Sequence, residues 1–273
     1  MSRPDPPNAG AAGASDDAPL RVDELRHGLS GLALGNPLIY FPAVDSTNTY
    51  ASALARAGAA EGALVVTDHQ TAGRGRIGRV WKPLPNQQLI LSLLLRPTFP
   101  AHYLMMASAL AVTEAIEATT PLRVGIKWPN DVLINGRKVC GILIETGDGA
   151  AVVGMGLNVN GSLASDPELA ARATTLAAEA GAPIPREPLA IALISRLDDL
   201  YRQLSTGGPA AQNAVRDRWR ARLITLGRRA TIHQTPQRTD ALEGFAVDVN
   251  SDGALLLRLD DGQLLTVTWG DVE

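Results

Sequence analysis

Residues 88–96 read Q-L-I-L-S-L-L-L-R. An apolar run of that length fits a strand at the centre of a sheet covered on both faces. Such a strand commits the chain to layers, with helices packed against the sheet. Residues 101–119 follow and are apolar almost all round, which predicts a largely buried helix. Tyr103, Met105 and Met106 are expected in its core contacts rather than on a ligand.

Further strands are predicted over 38–44, 63–68, 122–127, 131–134, 138–145 and 151–160, with a hairpin turn at Asn135-Gly136. Helices are predicted within 22–34, over 49–57, and as three amphipathic segments near 167–179, 187–204 and 212–222. Beyond residue 225 the pattern changes to short strands over 229–233, 242–249, 254–259 and 263–268, separated by Asp-Gly turns. The expected fold class is α/β (α+β): a mixed sheet flanked by helices over 21–224 and a small β-barrel or sandwich over 225–273. Residues 1–20, rich in Pro, Ala, Gly and Asp, read as a disordered tail with no signal-peptide pattern.

Composition narrows the function classes. One cysteine, Cys140, leaves no intrachain disulfide and no cysteine zinc cluster, and the four histidines have no metal-ligand spacing. A net charge of −3 provides no global basic field for nucleic acid or a membrane surface. No apolar run approaches a transmembrane length. A reducing, cytoplasmic setting is expected.

The chemistry concentrates in residues 68–81, D-H-Q-T-A-G-R-G-R-I-G-R-V-W. Gly73, Gly75 and Gly78 allow close backbone approach to a ligand, and Arg74, Arg76 and Arg79 offer planar forks that match phosphate oxygens. A flexible loop closing over an anion is expected, with Trp81 as a flat surface for a base or ring. The glycines also fit the dinucleotide-binding and kinase patterns. The first needs a carboxylate about 20 residues on, where this chain has none. The second needs a V-A-I-K strand, an H-R-D loop and a D-F-G, all missing.

Other candidates each carry two readings. Ser46-Thr47-Asn48 can be a helix N-cap or a polar ligand site at helix N–H groups. Lys127 can be a strand-end lysine in solvent or a cation at the strand end where α/β ligands collect. Gly141 inside a strand suggests a close approach by something else. Gly154 and Gly156 bare one sheet face and suggest a slot, beside which Asn158 can read an adenine edge or serve as a turn residue. Trp128-Pro129-Asn130-Asp131 is turn chemistry.

Taken in order, D-S-T-N (45–48), H-Q-T-A-G-R-G-R-I-G-R-V-W (69–81), K-W-P-N-D-V (127–132), G-R-K-V-C-G-I-L-I-E (136–145) and G-M-G-L-N-V (154–159) resemble the biotin protein ligases. The resemblance spans nearly all the chain after residue 36 and looks like the short form, without a DNA-binding domain. It departs from the family at Ile77, where many members carry a basic or polar residue, and at Cys140, usually alanine. It implies a class II synthetase-like catalytic domain with an SH3-like C-terminal domain. It also implies two steps: biotin and ATP, with Mg²⁺, give biotinyl-5′-AMP, and a carrier lysine then takes the biotinyl group.

Residue by residue, it implies that Ser46, Thr47, Asn48 and Gln70 hold biotin, with Gly73, Arg74, Gly75, Arg76, Lys127 and Gly141 completing that pocket. Arg74, Arg76, Arg79, Trp81, Lys127, Asn130 and Asn158 would hold the nucleotide. Lys127 and Arg76 would be catalytic, with no protein cluster for a metal. The implied partner is the biotin carboxyl carrier domain of acyl-CoA or pyruvate carboxylases, with no DNA or membrane, for a monomer or weak homodimer. Rival readings are a lipoate or octanoate ligase or transferase of the same fold, and a non-catalytic biotin sensor.

Overall fold

A computed structural model describes residues 18–76, 80–234 and 241–273. Seven strands form the main sheet, in the order β1-β2-β3-β7-β6-β5-β4. They are β1 Leu38–Phe41, β2 Leu64–Thr67, β3 Gln88–Leu95, β4 Gly125–Lys127, β5 Asp131–Ile134, β6 Arg137–Gly147 and β7 Ala150–Asn158. Only β1 and β2 pair in parallel. The apolar run does lie at the centre, as β3 between β2 and β7.

Side-chain parity divides the two faces. Leu89, Leu91, Leu93 and Leu95 of β3, with Val153, Met155 and Leu157 of β7, join the main hydrophobic core. That core is closed by α3 (His102–Thr119), α6 (Arg186–Thr206) and α7 (Gly208–Ala221). On the opposite face Val65, Leu94 and Val152 pack with Ala51 of α2 (Thr47–Arg56). Because α2 covers only one end of that face, the other end is free to line a cleft.

Several expected elements differ in extent. Helix α1 is only Val22–Gly28, and at Gly28 a Cβ would lie 2.2 Å from the Ile191 side chain of α6, so the helix ends in close packing. The helix expected over 167–179 is two: α4 (Pro167–Arg172) and α5 (Leu176–Ala180). The break arises because Ala173 bridges to Lys138 on the edge of β6 and the Thr174 amide donates to the Lys138 carbonyl at 2.9 Å. Helix α2 begins two residues earlier than expected, since Ser46 is its N-cap and accepts from the Thr49 amide.

The C-terminal strands are β8 Arg229–His233, β9 Ala241–Val249, β10 Leu255–Arg258, β11 Leu264–Val267 and β12 Asp271–Val272. They form a five-stranded antiparallel sheet, β11-β10-β9-β8-β12. This sheet is tied to the main one through Trp128, whose side chain is buried and whose Nε1 donates to the Gly253 carbonyl at 2.9 Å. Burying an indole of that size stabilises the junction by roughly 2–3 kcal/mol. Asp68, at the start of the glycine–arginine stretch, is anchored from beneath. Buried Arg186 donates to it at 2.9 Å and the Tyr40 hydroxyl at 2.5 Å. Burial and that hydrogen bond push the Tyr40 phenol up to about 12. Among the described residues no helix is long and apolar enough to cross a membrane.

Candidate active site

A cleft of about 1050 Å³ opens on the face of the main sheet left uncovered by α2. Its lining includes Ser46, Thr47, Asn48, Gln70, Arg74, Gly75, Arg76, Trp81, Lys127, Asn130, Gly141 and Asn158. The two remaining candidates stand apart. Gly73 sits beside the lining, where a Cβ would fall 2.7 Å from Gln70 Nε2. Arg79, with Ile77 and Gly78, lies outside the described residues.

The start of α2 builds one end of the cleft. Gln70 Oε1 accepts from the Thr47 amide at 2.9 Å and lies 3.2 Å from the Thr47 hydroxyl. Ser92 Oγ of β3 is 2.6 Å from Asn48 Oδ1, to which it can only donate, and 2.7 Å from Thr47 Oγ1. Asn48 Nδ2 donates to Glu145 Oε2 of β6 at 2.7 Å. Ser46, Thr47, Asn48, Gln70 and Ser92 are all buried. A buried polar set that is bonded to itself is held in one arrangement. The N-cap and ligand-site readings of 46–48 are therefore compatible, since the cap sets the hydroxyls and amide at the cleft wall.

Gly154 and Gly156 line the cleft, and the bare face they leave also admits the protein's own side chains. A Cβ on Gly154 would lie 2.1 Å from Asn48 Oδ1, and one on Gly156 would lie 2.9 Å from the Trp81 ring. At Gly141 it would lie 3.0 Å from Lys138 Nζ and 3.2 Å from Trp81. The glycines thus let Asn48 and Trp81 reach the sheet. Trp81 is seated on β6 and β7, with Lys138 Nζ 5.9 Å from its ring centroid and its own Nε1 buried without a partner among the described residues. Asn158 Oδ1 is taken by Gln88 Nε2 at 3.0 Å, which fixes the direction of its amide.

The cations come from the other side. Gly73 accepts from the Trp81 amide at 3.0 Å and Arg74 bridges antiparallel to Val80, so the two ends of the stretch are pinned together. Arg74 Nη2 donates to Thr49 Oγ1 at 3.1 Å and lies 3.6 Å from Glu145 Oε1. Arg76 donates to Asn130 Oδ1 at 2.7 Å and to the Gly270 carbonyl at 3.3 Å. Lys127 ends β4 opposite Asp131, and its Nζ donates to the Val272 carbonyl at 3.0 Å. Both cations thus reach the same short C-terminal segment, two residues apart.

Residues 40–161 match the biotin/lipoate A/B protein ligase family, and residues 225–273 match the biotin protein ligase C terminal domain. The chain is 35% identical over 252 residues to a bifunctional ligase/repressor of Bacillus spizizenii, covering 89% of this chain and 76% of that protein. The chain belongs to the biotin protein ligase family. It is also 34% identical over 263 residues to the biotin–[acetyl-CoA-carboxylase] ligase of Mycobacterium tuberculosis, covering 93% of this chain and 95% of that one. The solved biotin protein ligase from Aquifex aeolicus in complex with biotin and ATP superposes with a TM-score of 0.75 at 27% identity, over 87% of this chain and 98% of that chain.

Within this family member, four features in the cleft or against its lining were not among the sequence candidates. Ser92 is the one hydroxyl in an apolar strand, a signal that was present in the letters. Glu145 looked like an ordinary strand end. Lys138 and Asp131 face one another at 2.6 Å across the β5–β6 pairing. Residues 271–273 line the cleft although a two-residue strand leaves almost no pattern. Among the described residues no group of three His, Cys, Asp or Glu is placed to hold a metal ion.

Proposed function

We propose that this protein activates biotin with ATP and transfers it to a lysine of a biotin carboxyl carrier domain. The observation that carries the reading is the meeting, in one cleft, of a buried hydroxyl-and-amide pocket (Ser46, Thr47, Asn48, Gln70) with three cations on its opposite side (Arg74, Arg76, Lys127). A ureido ring has donors and an acceptor to match the first, and its carboxylate tail and a triphosphate match the second. A simple acyl chain, as in a lipoate or octanoate substrate, has no use for the polar end.

A carboxylate acylates poorly because its leaving group is oxide. In the first step a biotin carboxylate oxygen attacks the α-phosphorus of ATP, the bond to the β-phosphate oxygen breaks, and pyrophosphate leaves. In the second the neutral carrier amine attacks the carbonyl of the mixed anhydride, AMP leaves with the bonding pair, and the nitrogen gives up one proton to solvent to leave the amide. The first step brings two anions together, so the protein's work is positioning and charge neutralisation. Lys127 and Arg76 serve that work by donating to the anionic oxygens gathered at the α-phosphorus. Charge-assisted hydrogen bonds of that kind are shorter and stronger than neutral ones. Mg²⁺ arrives as part of the nucleotide substrate and offsets charge on its phosphates. Trp81, Asn158 and Asn130 border the nucleotide, and the arginine-bearing stretch shields the anhydride from water.

In this reading residues 21–224 form the catalytic unit and 225–273 contribute residues 270–273 to the cleft. Partners are carrier domains of acyl-CoA or pyruvate carboxylases, met in the cytoplasm. The test mixes protein, biotin, ATP and Mg²⁺ and follows biotinyl-5′-AMP by mass, with lipoate as the control acid. Adenylate from biotin and none from lipoate is the expected outcome. Equal adenylate from lipoate transfers the assignment to the lipoate branch, and none from either acid overturns it.

A further inference from the structure

We propose that Glu145 is a positioning residue with two jobs: one carboxylate oxygen orients Asn48 in the ring pocket, and the other holds Arg74 back until an anionic ligand arrives. This rests on the reading of the cleft as the site of adenylate formation, and goes on to say how that site is kept ready.

Residues 141, 143 and 145 alternate onto the cleft side of β6, and Glu145 pairs with Val152 near the far end of the strand. Its carboxylate stands where the ring pocket meets the arginine-bearing stretch. Oε2 accepts from Asn48 Nδ2 at 2.7 Å, while Oε1 lies 3.6 Å from Arg74 Nη2. The first is a hydrogen bond, and the second is an ion pair too long to be one.

The two contacts differ in strength for a physical reason. Asn48 is buried, and its Oδ1 is already engaged by Ser92. Its amide can therefore point its NH₂ only one way, at Glu145, and losing that acceptor would leave a buried donor unmatched. Arg74 and Glu145 are 54% and 37% exposed at the side chain, so water screens their attraction. Arg74 is thus held loosely, by Glu145 and by Thr49 Oγ1. A carboxylate or phosphate offering bidentate acceptors displaces that pair readily. Release of Arg74 leaves the Asn48 contact in place, so the ring pocket keeps its shape while the arginine moves.

Glu145→Gln separates the two jobs. The glutamine carbonyl still accepts from Asn48, but its charge no longer competes for Arg74. Glu145→Ala removes both. Dissociation constants are to be measured for two pairs of ligands: biotin with its uncharged alcohol, and ATP with adenosine. In Glu145→Gln at least one anionic member should bind roughly 2- to 5-fold tighter, the size of a screened ion pair, with both neutral members unchanged. In Glu145→Ala biotin and its alcohol should both weaken.

Two results overturn the proposal: no gain of either anion over its neutral counterpart in Glu145→Gln, or weakening of the alcohol in Glu145→Gln equal to that in Glu145→Ala. The second would make Glu145 a scaffold only. A wild-type protein that binds neither biotin nor ATP instead overturns the reading of the cleft itself. Retained wild-type binding with either failed variant pattern overturns this proposal alone.

Discussion

The two walls of the cleft are built by opposite rules. At one end Thr47, Asn48, Gln70 and Ser92 are buried and bonded to one another, so their geometry exists before any ligand arrives. On the other side Arg74 is shared between the Thr49 hydroxyl and the Glu145 carboxylate, and the contacts of Arg76 and Lys127 include an asparagine and backbone carbonyls. The contrast follows from the ligand chemistry each wall faces. A neutral polar ring is selected best by acceptors and donors that cannot rearrange. A reaction between two anions needs cations in place where charge develops, and closure over bound ligand brings them there before the chemical step.

The sharpest way to break this comparison is Lys127→Ala. The adenylation rate should fall by about 10²- to 10³-fold, as for loss of one transition-state donor, and by more than biotin affinity does, while the melting temperature changes little. Normal pyrophosphate release would place Lys127 outside the reaction. Gly154→Ala attacks the fixed wall instead. The new Cβ meets Asn48 Oδ1, so stability should drop by roughly 1–3 kcal/mol and biotin affinity by about tenfold, measured by denaturation and titration. Affinity equal to wild type would mean that Asn48 does not set the ring pocket.

Hydrogen exchange compares the walls directly. Addition of biotin and ATP should slow exchange at residues 73–76 and 80–81 several-fold and leave residues 46–48 nearly unchanged. Equal slowing at both would erase the distinction.

The smallest effect lies outside the cleft and serves as a control for pure architecture. Burial alone would raise the Glu179 carboxyl, but hydrogen bonds from Thr174, Asn135 and Arg137, with the Arg137 charge, hold it below its ordinary value of 4.5. A depressed carboxyl stabilises the fold above the unfolded value and loses that contribution as pH falls through the folded one. Glu179→Gln should therefore flatten the decline of melting temperature below about pH 4.5, without changing substrate affinities at neutral pH.

Much of this was legible in the letters. The apolar run at 88–95 became the central strand because burial on both faces leaves no alternation to read otherwise. The arginines and glycines of 73–76, Lys127 and the polar triplet 46–48 stand out in the sequence as candidates, and they line or border one cleft. The glycines at 154 and 156 do line the cleft, but the approach of Asn48 and Trp81 to them is not legible, since nothing local says which side chain will cross to a bare strand. Glu145 carries no local signal for the same reason, and Ser92 offers only its lone hydroxyl; both are placed by register across β3, β7 and β6. The contact from Arg76 to Gly270 spans 194 residues of sequence, beyond any local signal.

The sequence by itself determined the order and kind of most strands and helices, though not all their bounds, and which polar and cationic residue types the chain supplies. Those follow from short-range periodicity, capping and backbone preference. Only the tertiary structure decided which side chain fills each glycine gap, which carboxylate faces Arg74, and that the last residues of the chain reach Arg76 and Lys127. Those pairings depend on strand register and on the packing of one sheet against another, and the forces that set them act between segments far apart in the chain.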